Sequence, residues 1–249
     1  MSTRHHTALI LACLFVATAC SEAAFTATGP DVATARGGNG NGNGNGNGGG
    51  GPPPPPVVDE LEAWDATRWT AENHALGKGW LDPANVSHDP AGLLLLTLPA
   101  GAWDGAEIKS AQRHQYRDIE ARLRTPDTPG SISALFFYEG VRRRNDEIDI
   151  EIFNDGSRTI LFTTWVQGKQ TNHVQMTLGF DPANGFHDYR IEWARDRVGF
   201  LVDGTLMAEF TSGVPRDDMF VMSNTWWPTW LNGPQPAAPS SLHIDRIVY

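Results

Sequence analysis

The chain has 249 residues, 40% of them hydrophobic and 19% charged, which is enough for one substantial core and not for two. A formal net charge of -10 at pH 7 argues against nucleic acid and anionic membrane surfaces as partners. It suits a neutral or cationic substrate, and a neutral polysaccharide is the simplest.

Residues 1–20 read as an export signal: Arg4 with two histidines, an apolar run over 8–17, then small residues ahead of Cys20. The run is shorter than the roughly 20 apolar residues of a membrane span. Ala17-Thr18-Ala19-Cys20 resembles a bacterial lipobox, which implies lipidation of Cys20 and an N-terminal anchor as the one contact with a membrane. Cys13 lies inside the signal and leaves with it, so no disulfide is expected and an exported domain must be held by its core. The expectation is a cell-envelope lipoprotein or a secreted protein. Residues 21–58 cannot bury a core: 37–51 is rich in Gly and Asn and 52–56 is all Pro, a flexible coil followed by a stiff spacer.

From Asp59 to Tyr249, short alternating or apolar runs are separated by Gly, Pro, Asn and Asp clusters, the rhythm of an all-β sandwich. The runs predict strands over 93–98, 119–123, 132–138, 148–153, 159–166, 189–193, 198–202, 207–210, 219–224 and 242–249. Asp203-Gly204 marks a hairpin between two of them. No stretch carries a useful helical period.

One strand differs from the rest. In Asn145-Asp146-Glu147-Ile148-Asp149-Ile150-Glu151-Ile152-Phe153 the side chains alternate between faces, so Glu147, Asp149 and Glu151 share one and three isoleucines the other. Three aligned carboxylates with no Lys or Arg among them disfavour their own ionisation, a device for keeping a carboxylic acid protonated near neutral pH. A retaining glycosidase needs that: one carboxylate to attack the anomeric carbon and a protonated one to release the leaving oxygen. The outer acids are about 13 Å apart at Cα, whereas the carboxyls of retaining enzymes lie about 5 to 5.5 Å apart, so the strand has to sit on a concave sheet.

Glu-Ile-Asp-Ile-Glu, preceded by Asp146, resembles the signature of glycoside hydrolase family 16. The resemblance implies Glu147 as nucleophile, Asp149 as helper and Glu151 as acid/base. With no residue inserted before Glu151, the strand is similar to the regular-strand branch of lichenases and xyloglucan transglycosylases, not to the bulged laminarinase branch. The runs 185–193 and 198–204 resemble the strand pair that follows the active site. The likeness spans about Trp64 to Tyr249 and implies a concanavalin-like jelly roll of two curved antiparallel sheets. By the same resemblance Glu107, Lys109, Tyr138, Trp165, Asn224 and Trp226 line the cleft and contact sugar. Lys109 stands where lichenases carry arginine, and Thr163 and Trp165 stand where they carry Asn and Tyr. No cofactor is required, and the one metal implied is a structural calcium at Asp245.

These residues predict an endo-acting retaining β-glucanase, with 1,3-1,4-β-glucan favoured and a monomer expected. The rivals are a transglycosylase of the same family, a non-catalytic carbohydrate-binding jelly roll, and a calcium site made by the acids. Clustered like charges serve no purpose in a binding module, and calcium cages draw on loops and carbonyls more than on one regular strand. Arg142-Arg143-Arg144, ahead of the acidic strand, reads as a solvated charge run.

Overall fold

A computed structural model describes residues 56–140 and 145–249. Its strands are β1 (Val58–Asp59), β2 (Trp69–Ala71), β3 (His74–Leu76), β4 (Gly79–Leu81), β5 (Val86–His88), β6 (Leu94–Leu98), β7 (Ala106–His114), β8 (Ile119–Arg124) and β9 (Ile132–Glu139). They continue with β10 (Asp146–Phe153), β11 (Thr159–Val166), β12 (Lys169–Thr177), β13 (His187–Ala194), β14 (Arg197–Val202), β15 (Thr205–Phe210), β16 (Met219–Trp226) and β17 (Ser240–Val248). One sheet runs β12-β11-β10-β9-β16-β7-β2; the other runs β15-β14-β13-β8-β17-β6-β5, with β1 on β17. This is the expected all-β jelly-roll sandwich. Cys20, the linker up to Pro55 and the arginine run 142–144 lie outside the described residues.

The core lies between the inner faces of the two sheets. Ile148, Ile150 and Ile152 of β10 enter it together with Phe137, Phe162, Tyr189, Ile191, Trp193 and Phe200, all essentially without solvent contact. Each such large side chain contributes about 1.5–3 kcal/mol of transfer free energy. The pleat that sends the isoleucines inward forces Glu147, Asp149 and Glu151 onto the opposite, open face, since a one-residue slip would drive three acids into the core. Asp146, at the start of β10, is buried and accepts from the backbone N–H of Gln167 at 2.8 Å and of Arg216 at 3.4 Å. Its carboxylate thereby ties two neighbouring loops to the start of β10.

Seven strands extend the sequence expectation: β1–β5, β7 and β12. β12 is an edge strand whose Val174 and Met176 pack on the core while its other residues face solvent, so its apolar signal is too thin to read. β7 runs nine residues but is interrupted: Phe220 pairs with Arg113 and Met222 with Lys109, leaving extra residues on β7. Ser110 bridges that bulge, its hydroxyl accepting from Val221 N at 3.0 Å and donating to Gln112 O at 2.7 Å. Bulges of this kind bend and twist a strand. The Asp203-Gly204 hairpin joins β14 to β15 with φ of 49° and 74°, the pair of positive angles a two-residue type I′ turn needs. The sandwich takes up the chain at Val57, hydrogen-bonded both ways to Tyr249, slightly ahead of Asp59.

Candidate active site

The strand registers lay three rows across the open face. The first is Trp165, Glu147, Tyr138, Phe220 and Arg113; the second is Thr163, Asp149, Phe136, Met222 and Lys109; the third is Leu161, Glu151, Ala134, Asn224 and Glu107. The catalytic candidates therefore sit in mid-sheet, with two aromatic or hydroxyl side chains on one flank and the Glu107, Lys109, Asn224 group on the other. Glu147 and Glu151 are partly exposed at the floor of this face, whereas Asp149 between them is only 5% exposed.

What surrounds the acids explains their ionisation. Ala134, Phe136 and Met222 form a small apolar cluster on the open face, extended by Tyr138 and Phe220. Low-polarity neighbours penalise a charged carboxylate. Burial pushes Glu151 up to about 8, helped by the charge of Asp149. Burial also pushes Glu147 up to about 7, a hydrogen bond from Asp149 pulling against it and the charges of Glu151 and Glu107 adding to it. Asp149 is raised well above the usual carboxylate range, first by burial and then by the charge of Glu147. Its partner is Thr163, whose hydroxyl donates to Asp149 Oδ2 and itself accepts from Trp165 Nε1 at 3.2 Å. Asp149 is thus fixed from β11 and keeps a proton to offer Glu147. Each acid thus raises another of the three, and all three hold their protons well above the ordinary carboxylate range.

On the other flank Glu107 is 3% exposed and accepts from Asn224 Nδ2 at 2.8 Å and from His74 Nε2 at 3.0 Å. Lys109, two residues along, does not pair with Glu107; its ammonium lies 2.7 Å from Glu72 and 5.3 Å from the Phe220 ring centre. Tyr138 is half-buried beside Glu147, its hydroxyl held protonated first by burial and then by that carboxylate.

The three tryptophans of 226–230 have separate placements. Trp226 reaches the open face and carries the tip of the β3–β4 hairpin: a Cβ on Gly77 (φ +59°) would lie 2.6 Å from its ring. Trp227 is fully buried and meets Trp103 edge-on at 4.9 Å, while Trp230 is 54% exposed and packs on Phe153 at 5.7 Å.

Residues 78–239 match the family model described as glycosyl hydrolases family 16. The chain belongs to glycosyl hydrolase family 16. It is 30% identical over 174 residues to a beta-glucanase of Bacillus subtilis (strain 168), covering 66% of this chain and 72% of that protein. Its fold is that of the Bacillus licheniformis beta-glucanase, with TM-score 0.73 and 24% identity over 78% of this chain and 97% of the other. A prokaryotic beta-1,3-1,4-glucanase (lichenase) from a mouse hindgut metagenome matches with TM-score 0.72 and 21% identity, over 78% and 98% of the two chains. The family makes the chain a glycosidase, and the acidic strand is its one row of mid-sheet carboxylates among the described residues.

In this family-16 domain the metal question has two parts. Asp245 is a lone carboxylate on β17 whose Oδ2 lies 3.5 Å from Arg122 Nε, so a guanidinium already neutralises it. Calcium takes six to eight oxygens, and an aspartate whose oxygen faces a guanidinium does not fit that demand. Among the described residues only Glu72, His74 and Glu107 bring three ligating side chains together, within 4.8 Å. His74 and Glu72 escape sequence reasoning because the hairpin that delivers His74 meets Glu107 across 33 residues of chain.

Proposed function

We propose that the chain is a retaining endo-β-glucanase acting on mixed 1,3-1,4-β-glucan. The observation that carries this reading is the pair Glu147 and Glu151 on one open face with buried Asp149 between them, both lifted by burial into the neutral range, to about 7 and about 8. On this reading Glu147 is the ionised acid near neutral pH and Glu151 the protonated one. Glu147 attacks the anomeric carbon while Glu151 gives its proton to the glycosidic oxygen, whose bond to that carbon breaks. A glycosyl-enzyme ester on Glu147 results. Glu151, now a carboxylate, takes a proton from water, whose oxygen attacks the same carbon and frees Glu147. Asp149, held by Thr163, donates a hydrogen bond to Glu147 and keeps the two acidities apart.

The sugar contacts follow the rows. Glu107, Lys109 and Asn224 supply hydroxyl partners on one flank, Trp226 offers a face for a pyranose, and Tyr138 and Trp165 bracket Glu147. Mixed-linkage substrate is supported by the similarity to beta-glucanases, one structural neighbour being a beta-1,3-1,4-glucanase. Because Trp165 is an aromatic platform beside Glu147, on the side away from Glu107, a sugar acceptor competing with water there is the second reading, and it makes the enzyme a transglycosylase.

The test is to incubate the full chain with lichenan, laminarin, xyloglucan and an agar-type galactan and to size the products with and without added acceptor oligosaccharide. Depolymerisation of lichenan supports the proposal, product growth with acceptor favours transglycosylation, and cleavage of the galactan alone refutes the glucan assignment. Glu147→Gln should abolish turnover while leaving the fold intact. Export, lipidation of Cys20 and a monomeric state remain part of the proposal. They predict a lipid-sized mass increment that Cys20→Ser removes, and a single-chain mass by light scattering.

A further inference from the structure

The β3–β4 hairpin is docked firmly enough to fix its first side chain. Lys78 N donates to Trp227 O at 2.9 Å, and Lys78 Nζ sits 4.8 Å from the Trp103 ring centre. Trp80 N donates to Asp104 Oδ1 at 3.0 Å, and Trp80 Nε1 to Asn73 Oδ1 at 2.6 Å. His74 is thereby held with Nδ1 at 3.1 Å from Ala75 O and Nε2 at 3.0 Å from Glu107 Oε1.

Both partners of this ring are oxygens. A carbonyl has no proton to give, and the Glu107 carboxylate, which accepts an amide N–H from Asn224 on its other oxygen, faces Nε2 as an acceptor. Filling both contacts therefore takes a proton on each ring nitrogen. The same count separates a proton from a metal: an imidazole donating from both nitrogens has no lone pair to ligate with, and the ammonium of Lys109 already holds Glu72.

We propose that His74 is a positioning residue whose imidazolium, with the Asn224 amide, locks Glu107 as an oriented anion for a glucan hydroxyl, so that substrate affinity falls when His74 loses its proton. This rests on the reading of Glu107 as a sugar-binding group. The charged groups facing His74 are Glu107 on β7 and Glu72 in the β2–β3 segment, with Lys109 of β7 behind Glu72; β16 contributes the neutral Asn224. The hydrogen bond to Glu107 raises the imidazole above the ordinary histidine value, partial burial opposing it. Above that point the ring keeps one proton, which stays on Nε2 facing the carboxylate, so the contact to Glu107 loses its charge and the hold on the carboxylate weakens.

Two readouts on the full-length enzyme test this. Imidazole nitrogen NMR, with His74→Gln to assign the signal, should show His74 titrating above the ordinary histidine value, with both ring nitrogens protonated below that point. In Glu107→Gln its titration should move downward. In kinetics on lichenan, KM of the wild type should rise about fivefold across that titration, the difference between a charge-assisted and a neutral hydrogen bond. His74→Gln, which donates but does not titrate, should abolish the slope, and His74→Ala should start about tenfold higher at low pH. The kcat profile, set by Glu147 and Glu151, should not follow the KM slope in any of them. A His74 that titrates at or below the ordinary histidine value, or a KM profile that His74→Gln leaves superimposable on the wild type, overturns the proposal alone. An enzyme that turns over no β-glucan overturns it together with the glucanase reading.

Discussion

The acidic row on β10 should cost the fold stability in a pH-dependent way, and Glu151→Gln isolates that cost. Glu151 holds its proton up to about 8 in the folded protein against 4.5 for an ordinary glutamate. A carboxyl whose folded pKa is raised contributes no penalty below about pH 4.5, where folded and unfolded chains are both protonated. The penalty grows as pH rises and is complete above about 8. At about 1.36 kcal/mol per unit the upper bound is about 4–5 kcal/mol. Glu151 is partly open to the cleft and its neighbours relax, so about 1–2 kcal/mol is the expected share. Glutamine keeps the shape and removes the charge. In a domain of this size 1 kcal/mol moves Tm by about 2–4 °C. Thermal melts of wild type and variant should therefore coincide near pH 4 and separate by about 2–8 °C near pH 8.5, with the inactive variant the more stable. A difference that does not change with pH, or a wild type that is more stable at pH 8.5, would refute the claim that the row is strained by its own charge.

Thr163→Val removes the hydroxyl that holds Asp149 and accepts from Trp165; melts should show a loss of about 1.5–3 kcal/mol, and kcat should fall while KM changes little. Trp226→Ala should raise KM for lichenan by about 5- to 20-fold, the worth of one stacking face, with kcat nearly constant in initial-rate assays. Treatment with a calcium chelator should leave Tm within about 1 °C, because Asp245 is neutralised by Arg122; a drop of several degrees that added calcium restores would return a metal to that strand.

The part of the site that lies on one strand was legible because its information is local. Alternation with period two places Glu147, Asp149 and Glu151 together whatever the rest of the chain does, and three isoleucines on the other face state which side is core. The sandwich was legible for the same reason over β6, β8–β11 and β13–β17, but not over the two- and three-residue strands β1–β5, nor β7, nor β12. At β12 the strand borders solvent along one side and only Val174 and Met176 report a core. What the sequence could not show is contact between distant elements. His74 meets Glu107 only because Gly77 lets the hairpin tip settle on Trp226, and Lys109 faces Glu72 because β2 lies beside β7. Arg122 meets Asp245 across the β8–β17 pair, and the local sequence Ile244-Asp245-Arg246 points to a different neighbour. The apolar patch of Phe136, Met222 and Ala134 that lifts the acids is likewise assembled from two strands far apart in the chain.

The central claim is that Glu147 and Glu151, on one face of the sheet, act as nucleophile and acid/base from opposite sides of one anomeric carbon. Proton NMR during the first minutes of lichenan hydrolysis reads it directly, through the anomeric configuration of the newly formed reducing ends. Two displacements at one carbon predict that the β-anomer appears first and the α-anomer grows in only by mutarotation. Initial release of the α-anomer would mean a single displacement by water and would contradict the account.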